Sequence, residues 1–354
     1  MTTTAQAVLQ SALARLRQHE ALSREMAQAS VEALMTGQAS AEEMRAFLLG
    51  LREKGETVEE LVGCAQAMRA HVVPFPVPER ELKAAVDTCG TGGDAKDTMN
   101  VSTIAAFLIA AAGAPVIKHG NRAVSSRCGS ADLLEALGIN VAAEPAQMVE
   151  CFTRTNFAFL FAPTYHPAMK QVAAVRKALG GRTIFNLLGP LTNPAGVKCQ
   201  VVGVATKPLA SLMAHALQVL EAEHAIIVHG EDGLDEVTTT TTTTITEVRR
   251  GDPQPQTSSF DAEQALGIRR ARLDQFRGGD ALTNAKLARQ LLSSGADEAL
   301  RPLQELILVN AAWGLMVSGM YAGELAQCFD VVRLALMSGA ALNKLQDVQR
   351  CLPR

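Results

Sequence analysis

Residues able to bind an anion are concentrated in one segment, residues 87–129, which reads DTCGTGGDAKDTMNVSTIAAFLIAAAGAPVIKHGNRAVSSRCG. Gly90, Gly92 and Gly93 interrupt the end of an apolar stretch, and Asp94 follows them directly. Glycines in such a loop let backbone N–H groups approach an anion closely because no Cβ stands in the way. The G-T-G-G-D spacing is not the G-x-G-x-x-G dinucleotide pattern, and by itself it is equally typical of a glycine turn before a core helix.

A second set of polar side chains follows this loop. Asn100, Ser102 and Thr103 stand where a helix should begin, because residues 104–112 form an apolar, alanine-rich run. The N-terminus of a helix favours negative charge. After the next short apolar strand come Lys118, His119, Gly120, Asn121, Arg122, Ser125 and Ser126. Because successive strand ends of a parallel sheet open onto the same edge, the combination predicts a site for a phosphate-rich ligand.

The predicted secondary structure changes along the chain, from helices alone to helices that alternate with strands. Residues 5–72 read as four helices, two of them opened by S/T-x-x-E capping boxes at Ser40 and Thr57. The prolines of VVPFPVPER, residues 72–80, predict an extended linker. Beyond it, helices alternate with strand-like runs: AAVDTC, PVIKH, FAFLFA, CQVVGVA and HAIIVHG. This alternation predicts an α/β fold with a mostly parallel central sheet flanked by helices, preceded by a small all-helical domain.

One interval interrupts the alternation. Residues 167–179 and 182–188 read as two consecutive helices without an intervening strand, so they are expected to rejoin the helical domain and to form hinges with it. We therefore predict four segments: residues 1–78 and 164–195 in the small domain, and residues 79–163 and 196–354 in the α/β domain.

The C-terminal third is predicted to be mainly helical. A polar loop, DPQPQTSSFD, precedes helices near residues 281–294, 298–318 and 322–349. Residues 238–244 are seven consecutive threonines, and because threonine favours strands we expect an exposed strand or edge hairpin there, without a chemical role.

Composition excludes several classes of protein. The formal net charge is -3, with 33 basic and 36 acidic residues, so no basic field is available to hold nucleic acid. The longest apolar stretch, residues 104–117, is shorter than the roughly 20 residues that cross a bilayer. The 7 cysteines form no C-x-x-C pair, and the N-terminus lacks the features of a signal peptide. These features predict a cytoplasmic protein with reduced thiols, without membrane or nucleic-acid partners.

Five sequence blocks, in order, resemble the anthranilate phosphoribosyltransferase family. They are GTGGD at 90–94, TMNVST at 98–103, KHGNRAVSSRCGSADLLEALG at 118–138, HPAMKQVAAVRKALGGRTIFNLLGPLTNP at 166–194 and HGEDGLDE at 229–236. The resemblance implies a helical domain hinged to an α/β domain, and a homodimer associated through the helical domain. It also implies attack of the anthranilate amine on C1 of phosphoribosyl diphosphate (PRPP), with release of diphosphate.

The resemblance assigns the PRPP-binding residues. They are Gly90, Thr91, Gly92, Gly93, Asp94, Thr98, Asn100, Ser102, Thr103, Lys118 and Ser130. It also implies two Mg²⁺ ions, held by Asp235 and Glu236 in the loop GEDGLDE and by the Ser102 hydroxyl. Magnesium prefers oxygen ligands and usually keeps several waters, so few carboxylates plus substrate phosphates suffice.

The anthranilate site is assigned in the same way. Its expected residues are Gly90, His119, Asn121, Tyr165, Arg176 and Gly189. The planar fork of Arg176 suits the carboxylate of anthranilate. We expect His119 to bind and not to act as a base, because the amine of an aryl carboxylate is already neutral at pH 7.

The sequence departs from the family pattern in three places: Ala95 replaces a common glycine, Cys128 a frequent serine, and the threonine run a more varied segment. Ala95 is expected to stiffen the loop, and Cys128 to confer thiol sensitivity. Two alternatives stay open on sequence grounds. One is a pyrimidine nucleoside phosphorylase with the same fold, and the other is a non-catalytic paralogue that binds nucleic acid.

Overall fold

The N-terminal region is helical, as predicted. The computed structural model describes residues 4–123, 127–293 and 297–354. Its first four helices are α1 (Thr4–Arg17), α2 (Arg24–Met35), α3 (Ala41–Lys54) and α4 (Val58–Ala70). Both predicted capping boxes are present, Ser40 with Glu43 and Thr57 with Glu60. Each box satisfies backbone N–H groups that a helix leaves without partners in its first turn.

A seven-stranded sheet follows the linker. Its strands are β1 (Val86–Gly90), β2 (Val116–Gly120), β3 (Phe157–Phe161), β4 (Cys199–Gly203), β5 (His224–Gly230), β6 (Thr243–Arg249) and β7 (Gln256–Phe260). The spatial order is β3-β2-β1-β4-β5-β6-β7. The first five strands pair in parallel, and β6 and β7 add antiparallel at one side. The predicted fold class is therefore confirmed, and all five predicted strands are present.

Further helices lie before, between and after the strands. They are α5 (Glu79–Leu82), α6 (Val101–Ala111), α7 (Ser130–Ala136), α8 (Pro145–Thr155), α9 (Ala162–Tyr165), α10 (Lys170–Leu179), α11 (Ile184–Leu188), α12 (Lys207–Val219), α13 (Ala262–Leu266), α14 (Ala281–Leu291), α15 (Arg301–Val317), α16 (Leu325–Met337) and α17 (Ala340–Cys351). Short 3-10 turns lie at Pro167–Met169, Gly189–Leu191, Leu273–Phe276 and Glu298–Leu300. The apolar run after Asn100 forms a helix, as expected. This helix, α6, is buried along almost its whole length.

Helices α10 and α11 share a core with the N-terminal helices. Val172 of α10 and Leu188 of α11 belong to the same buried cluster as Leu34 and Phe47. A separate cluster joins α6 to the C-terminal helices through residues such as Phe107 and others on α15 and α17. Burial of a leucine or phenylalanine side chain contributes about 1.5–3 kcal/mol, so the shared cluster fixes α10 and α11 against α2 to α4.

The threonine run differs from its prediction. Only its last two residues enter a strand, β6, which lies between β5 and β7 and not at the edge. Thr238, Thr239 and Thr243 are buried. The strand β6 does not lie at the edge because β7 pairs with its outer side. The sequence of β7, QTSSF, falls within the predicted polar loop DPQPQTSSFD. An edge strand with polar residues on both faces has no apolar alternation from which to predict it.

The last predicted helix is also divided. Residues 322–349 were expected to form one helix, but α16 ends at Met337 and α17 begins at Ala340, with Gly339 between them at φ 78°. In the described ranges no single helix is long and apolar enough to cross a membrane, although α16 and α17, bent by 66°, together reach that length and composition.

Candidate active site

The candidate site lies at the carboxyl ends of β1, β2, β4 and β5. The loop after β5 crosses the ends of β1 and β4 at close range: a Cβ on Gly203 would stand 1.7 Å from the Asp235 carbonyl oxygen, and one on Gly90 would stand 3.2 Å from its Oδ2. The Thr91 N–H donates to the Gly203 carbonyl at 2.9 Å. Glycine at residue 203 is therefore required for Asp235 to reach the loop after β1.

The glycine loop after β1 is held in an uncommon conformation. Gly92 and Gly93 have φ values of 64° and 91°, and Ala95 and Asp97 have φ values of 55° and 52°. No atom lies within 4 Å of a Cβ built on Gly92 or Gly93, so the space beside both is open in the described structure. Alanine in the left-handed region costs roughly 1 kcal/mol relative to glycine. The stiffening expected for Ala95 therefore comes with local backbone strain.

Lys118 is buried in the site, with 2% of its surface exposed. Its Nζ donates to the Thr88 carbonyl oxygen and to Ser102 Oγ, the latter at 3.3 Å. The Ser102 N–H, in the first turn of α6, donates to Glu236 Oε1 at 3.2 Å. Lys118, Ser102 and Glu236 are thus brought together from three different elements, and the N-terminus of α6 faces negative charge.

Three carboxylates converge beside this lysine. Burial raises the pKa of Glu236 to about 8, with repulsion from Asp235 as the next cause. Burial and then repulsion from Asp94 raise the pKa of Asp235. Asp94 Oδ2 is buried without a hydrogen-bond partner in the described residues. Carboxylates that repel one another in the empty site fit a divalent cation, because the positive charge of a bound ion would attract all of them and outweigh the repulsion.

The protein alone does not complete a metal site. Across residues 4–123, 127–293 and 297–354, no group of three or more His, Cys, Asp or Glu side chains is arranged to hold a metal ion. Magnesium commonly takes one or two carboxylates and completes its shell with water and substrate phosphate oxygens. Asp235 and Glu236, with Ser102 adjacent to Glu236, fit that pattern.

These pKa shifts make the metal-free protein sensitive to pH. In the unfolded chain both carboxyls titrate near pH 4, so their protonation stabilises the fold fully below about pH 4, and this stabilisation is lost as pH rises through the folded pKa values. We expect the free energy of unfolding in EDTA to fall by about 1 kcal/mol per pH unit between pH 6.5 and 8. Urea unfolding across this range measures the slope, and Asp235→Asn with Glu236→Gln should flatten it. An equal slope in the double variant would contradict the expectation.

A second group of side chains lies at the end of β2. His119 Nδ1 is 3.0 Å from the Gly189 carbonyl oxygen, and the His119 and His166 rings are 5.0 Å apart. Burial lowers the pKa of His119 to about 3 and that of His166 to about 4. Both rings are therefore neutral at pH 7. Since the Gly189 carbonyl can only accept, Nδ1 carries the proton, and Nε2, which has no partner in the described structure, presents a lone pair.

Arg176 is a partly buried cation on α10. Its guanidinium lies 5.1 Å from the ring centroid of Phe185, and burial lowers its pKa. Within the described ranges it forms no ion pair. Phe185 belongs to α11, which leads directly into Gly189, and the space next to Gly189 Cα is open. A partly buried, planar cation without a counter-ion suits a carboxylate ligand. Within the described residues, no hydrogen bond or ring contact joins Arg176 to His119 or Asn121.

The other residues assigned from sequence occupy mixed positions. Tyr165 is 1% exposed, packs edge-on against Phe75, and its hydroxyl has no partner in the described residues. Asn121 is exposed, and its carbonyl accepts from Ser130 Oγ at 3.1 Å. Thr103 is buried, and Thr98 forms an isolated bridge with Arg277. The side-chain hydroxyls of Tyr165, Thr103 and Thr91 are buried without partners in the described residues.

Two sequence expectations need correction, and one lies outside the described structure. Arg122, expected together with Lys118 among the anion-binding side chains, is instead paired with Asp132 at 3.1 Å and Glu135 at 2.7 Å. Cys128 is 7% exposed, and burial raises the pKa of its thiol to about 11, which disfavours the reactive thiolate and the expected thiol sensitivity. Ser125 and Ser126 lie outside the described residues.

Sequence reasoning missed residues that support the site from behind. Asp87 is fully buried and accepts from the His119 N–H at 3.2 Å and from Asn193 Nδ2 at 2.9 Å. Burial raises its pKa to about 6. Asn284 of α14 donates to Asn100 Oδ1 at 3.1 Å. These contacts join residues about 30 to 180 positions apart, so no local pattern signals them, although Asp87 is the first residue of the segment 87–129.

The fold and site define a class of protein. A family model described as the a/b domain of a glycosyl transferase family matches residues 82–342, and a second, described as its helical bundle domain, matches residues 10–72. The chain therefore has both parts of a glycosyl transferase.

Individual relatives narrow the class. The anthranilate phosphoribosyltransferase of Moorella thermoacetica is 46% identical over 325 residues, which cover 92% of this chain and 93% of the relative. The crystal structure of the enzyme from Thermus thermophilus is 40% identical with a TM-score of 0.88, covering 96% of this chain and 98% of that one. The chain belongs to the anthranilate phosphoribosyltransferase family, as its sequence blocks predicted.

More distant structures carry ligands. The anthranilate phosphoribosyltransferase of Saccharomyces cerevisiae in complex with PRPP and Mg is 26% identical, with a TM-score of 0.88 and 98% coverage of both chains. The same enzyme in complex with 4-fluoroanthranilate is 25% identical, with a TM-score of 0.86, covering 98% of this chain and 97% of that one.

Proposed function

We propose that this protein transfers the phosphoribosyl group of PRPP to the amine of anthranilate, releasing diphosphate and forming N-(5-phosphoribosyl)anthranilate. The observation that carries the proposal is the presence of two chemically different half-sites, one at the loops after β1 and β5 and one formed by the end of β2 with residues of α10 and α11. One half has a glycine loop, Lys118 and convergent carboxylates, which suit a metal-bound diphosphate. The other has neutral His119 and Arg176, a cation that forms no ion pair with the described residues, and together they suit a small aromatic carboxylate.

Mg²⁺ is part of the proposal, supported by the relative in complex with PRPP and Mg. That two ions bind is proposed from the family resemblance. Asp235, Glu236 and the Ser102 hydroxyl would hold them, together with phosphate oxygens of the substrate. Bound magnesium neutralises charge that develops on the departing diphosphate. The further PRPP ligands are the residues that the sequence assigned: Gly90, Thr91, Gly92, Gly93, Asp94, Thr98, Asn100, Thr103, Lys118 and Ser130.

The residues of the chain then contribute positioning and charge. Backbone N–H groups of the glycine loop and the ammonium of Lys118 stabilise the leaving diphosphate. Arg176 binds the anthranilate carboxylate, and Nε2 of His119 accepts a hydrogen bond from the amine, which directs the nitrogen lone pair toward C1. The amine is already neutral, so no strong base is needed, and the low pKa of His119 agrees with a binding role. Asn121, Tyr165, Gly90 and Gly189 complete the proposed pocket.

The proposal also covers the domain boundaries, the oligomeric state and the partners of the protein. Residues 1–78 and 164–195 form the small domain, supported by the core that α10 and α11 share with α2 and α3, and hinges connect it to residues 79–163 and 196–354. The protein acts as a cytoplasmic homodimer associated through the helical domain, as the family resemblance implies. Its partners are the two substrates, with neither nucleic acid nor membrane among them.

Product analysis by chromatography tests the proposed reaction. Enzyme, PRPP, anthranilate and Mg²⁺ should yield phosphoribosyl-anthranilate and diphosphate in equal amounts. Phosphorolysis of thymidine or uridine in phosphate, without this product, would favour the nucleoside phosphorylase alternative. Tight, salt-sensitive binding to single-stranded DNA without any turnover would instead favour the non-catalytic alternative.

A further inference from the structure

The threonine run surrounds the carboxylate of Asp232. Thr238 Oγ1 donates to Asp232 Oδ2 at 2.6 Å, and Thr240 Oγ1 donates to the same oxygen. The Thr240 N–H in turn donates to Thr238 Oγ1 at 3.1 Å. Thr238 is completely buried, so its hydroxyl has no water to replace this partner. Two hydroxyls of the run therefore bind one carboxylate in the preceding turn.

Asp232 shapes the turn that leads into Asp235 and Glu236. Its Oδ1 accepts from the Leu234 N–H at 3.1 Å, and the Gly230 N–H donates to the Leu234 carbonyl at 2.9 Å. Leu234 itself is fully buried. The side chain of Asp232 thus connects the threonines on one oxygen with the backbone of the turn on the other.

A second anchor holds the opposite end of the carboxylate pair. Asn310 of α15, 2% exposed, accepts from the Val237 N–H and donates to the Val237 carbonyl, both at 2.9 Å. Asp235 and Glu236 therefore lie between two fixed points, Leu234 and Val237. Outer-sphere hydrogen bonds that fix the ligands of a metal commonly change metal affinity 10- to 100-fold when removed.

We propose that Thr238 and Thr240 are positioning residues for magnesium: through Asp232 they hold the turn that places Asp235 and Glu236 at the diphosphate site. This inference rests on the proposed function and deepens it by giving the threonine run a role. Thr241 is the matched control, since it belongs to the same run and its side chain forms no hydrogen bond within the described residues.

The test is the affinity for PRPP without anthranilate, measured by calorimetry at saturating Mg²⁺ and again in EDTA. Thr238→Val with Thr240→Val should weaken PRPP binding about ten-fold with Mg²⁺ and leave it unchanged in EDTA. Thr238→Ser with Thr240→Ser keeps the hydroxyls and should bind within about two-fold of the parent. Thr241→Val should match the parent in both conditions.

Three results would overturn the proposal. They are unchanged Mg²⁺-dependent affinity in the double valine variant, equal losses in the serine and valine variants, or an equal loss with and without Mg²⁺. If the double valine variant does not fold, Thr240→Val alone, at a partly buried position, provides the same comparison. The parent's own Mg²⁺-dependent binding and turnover test the proposed function separately, so a positioning failure leaves that function intact.

Discussion

Replacing both metal carboxylates, Asp235→Asn with Glu236→Gln, is expected to lower turnover on the order of 10³-fold at saturating PRPP and Mg²⁺. Carboxamides offer weaker oxygen ligands for magnesium, so the charge on the departing diphosphate would be stabilised mainly by Lys118 and the glycine loop. The initial rate as a function of Mg²⁺ concentration measures the effect. Equal rates for parent and variant at limiting Mg²⁺ would contradict the metal assignment.

The stability of the same variant separates lost binding from unfolding. In the metal-free protein the two carboxylates repel each other, which the raised pKa values of Asp235 and Glu236 express. Removing this repulsion should leave the melting temperature in EDTA unchanged or higher, while activity is lost. The matched control is Glu231→Gln. Glu231 is an exposed acid at the start of the same loop, and its carboxylate pairs with Lys207 at 2.8 Å. Its replacement should leave turnover near that of the parent.

Arg176→Ala is expected to raise the KM for anthranilate roughly 10- to 100-fold, with a smaller change in kcat. A charge-assisted, bidentate pair contributes about 1.5–3 kcal/mol, and Arg176 has no other counter-ion to lose within the described residues. Its stacking on Phe185 holds the guanidinium in place, so Arg176→Lys, which keeps the charge but not the planar fork, should recover only part of the affinity.

The matched control for Arg176 is its neighbour on α10. Lys177 is exposed and lies on another side of the helix, so Lys177→Ala should leave the KM for anthranilate unchanged. Steady-state kinetics at saturating PRPP make both comparisons. A loss confined to kcat in Arg176→Ala, with an unchanged KM, would argue against carboxylate binding by this residue.

Most of the sheet could be predicted because its strands carry strong local patterns. The strands β1 to β5 are short apolar runs separated by helices, and a parallel sheet buried on both faces requires such runs. The strand β7 lacked that signal, since QTSSF lies at the edge and is largely exposed. Because the prediction lacked β7, it placed the threonine run at the edge of the sheet.

Part of the candidate site could likewise be predicted from the sequence, and part could not. The glycine loop and the acidic pair follow the strands β1 and β5, and Lys118 lies within β2. Because the carboxyl ends of parallel strands meet at one edge of a sheet, the sequence indicated that these residues lie close together. It did not indicate Asp87 beneath His119, Asn284 behind Asn100, or the threonine hydroxyls on Asp232. These partners depend on which helices and loops pack against each other, and that packing is decided by tertiary structure.

We propose that diphosphate with magnesium and anthranilate occupy adjacent half-sites of one cleft. A crystal structure with PRPP, Mg²⁺ and benzoate, which lacks the reactive amine, tests it most directly. We expect magnesium between the substrate phosphates and the carboxylates of Asp235 and Glu236, and the benzoate carboxylate on Arg176 with its ring beside His119 and Gly189. Magnesium bound away from both carboxylates, or benzoate bound without contact to Arg176, would contradict the account.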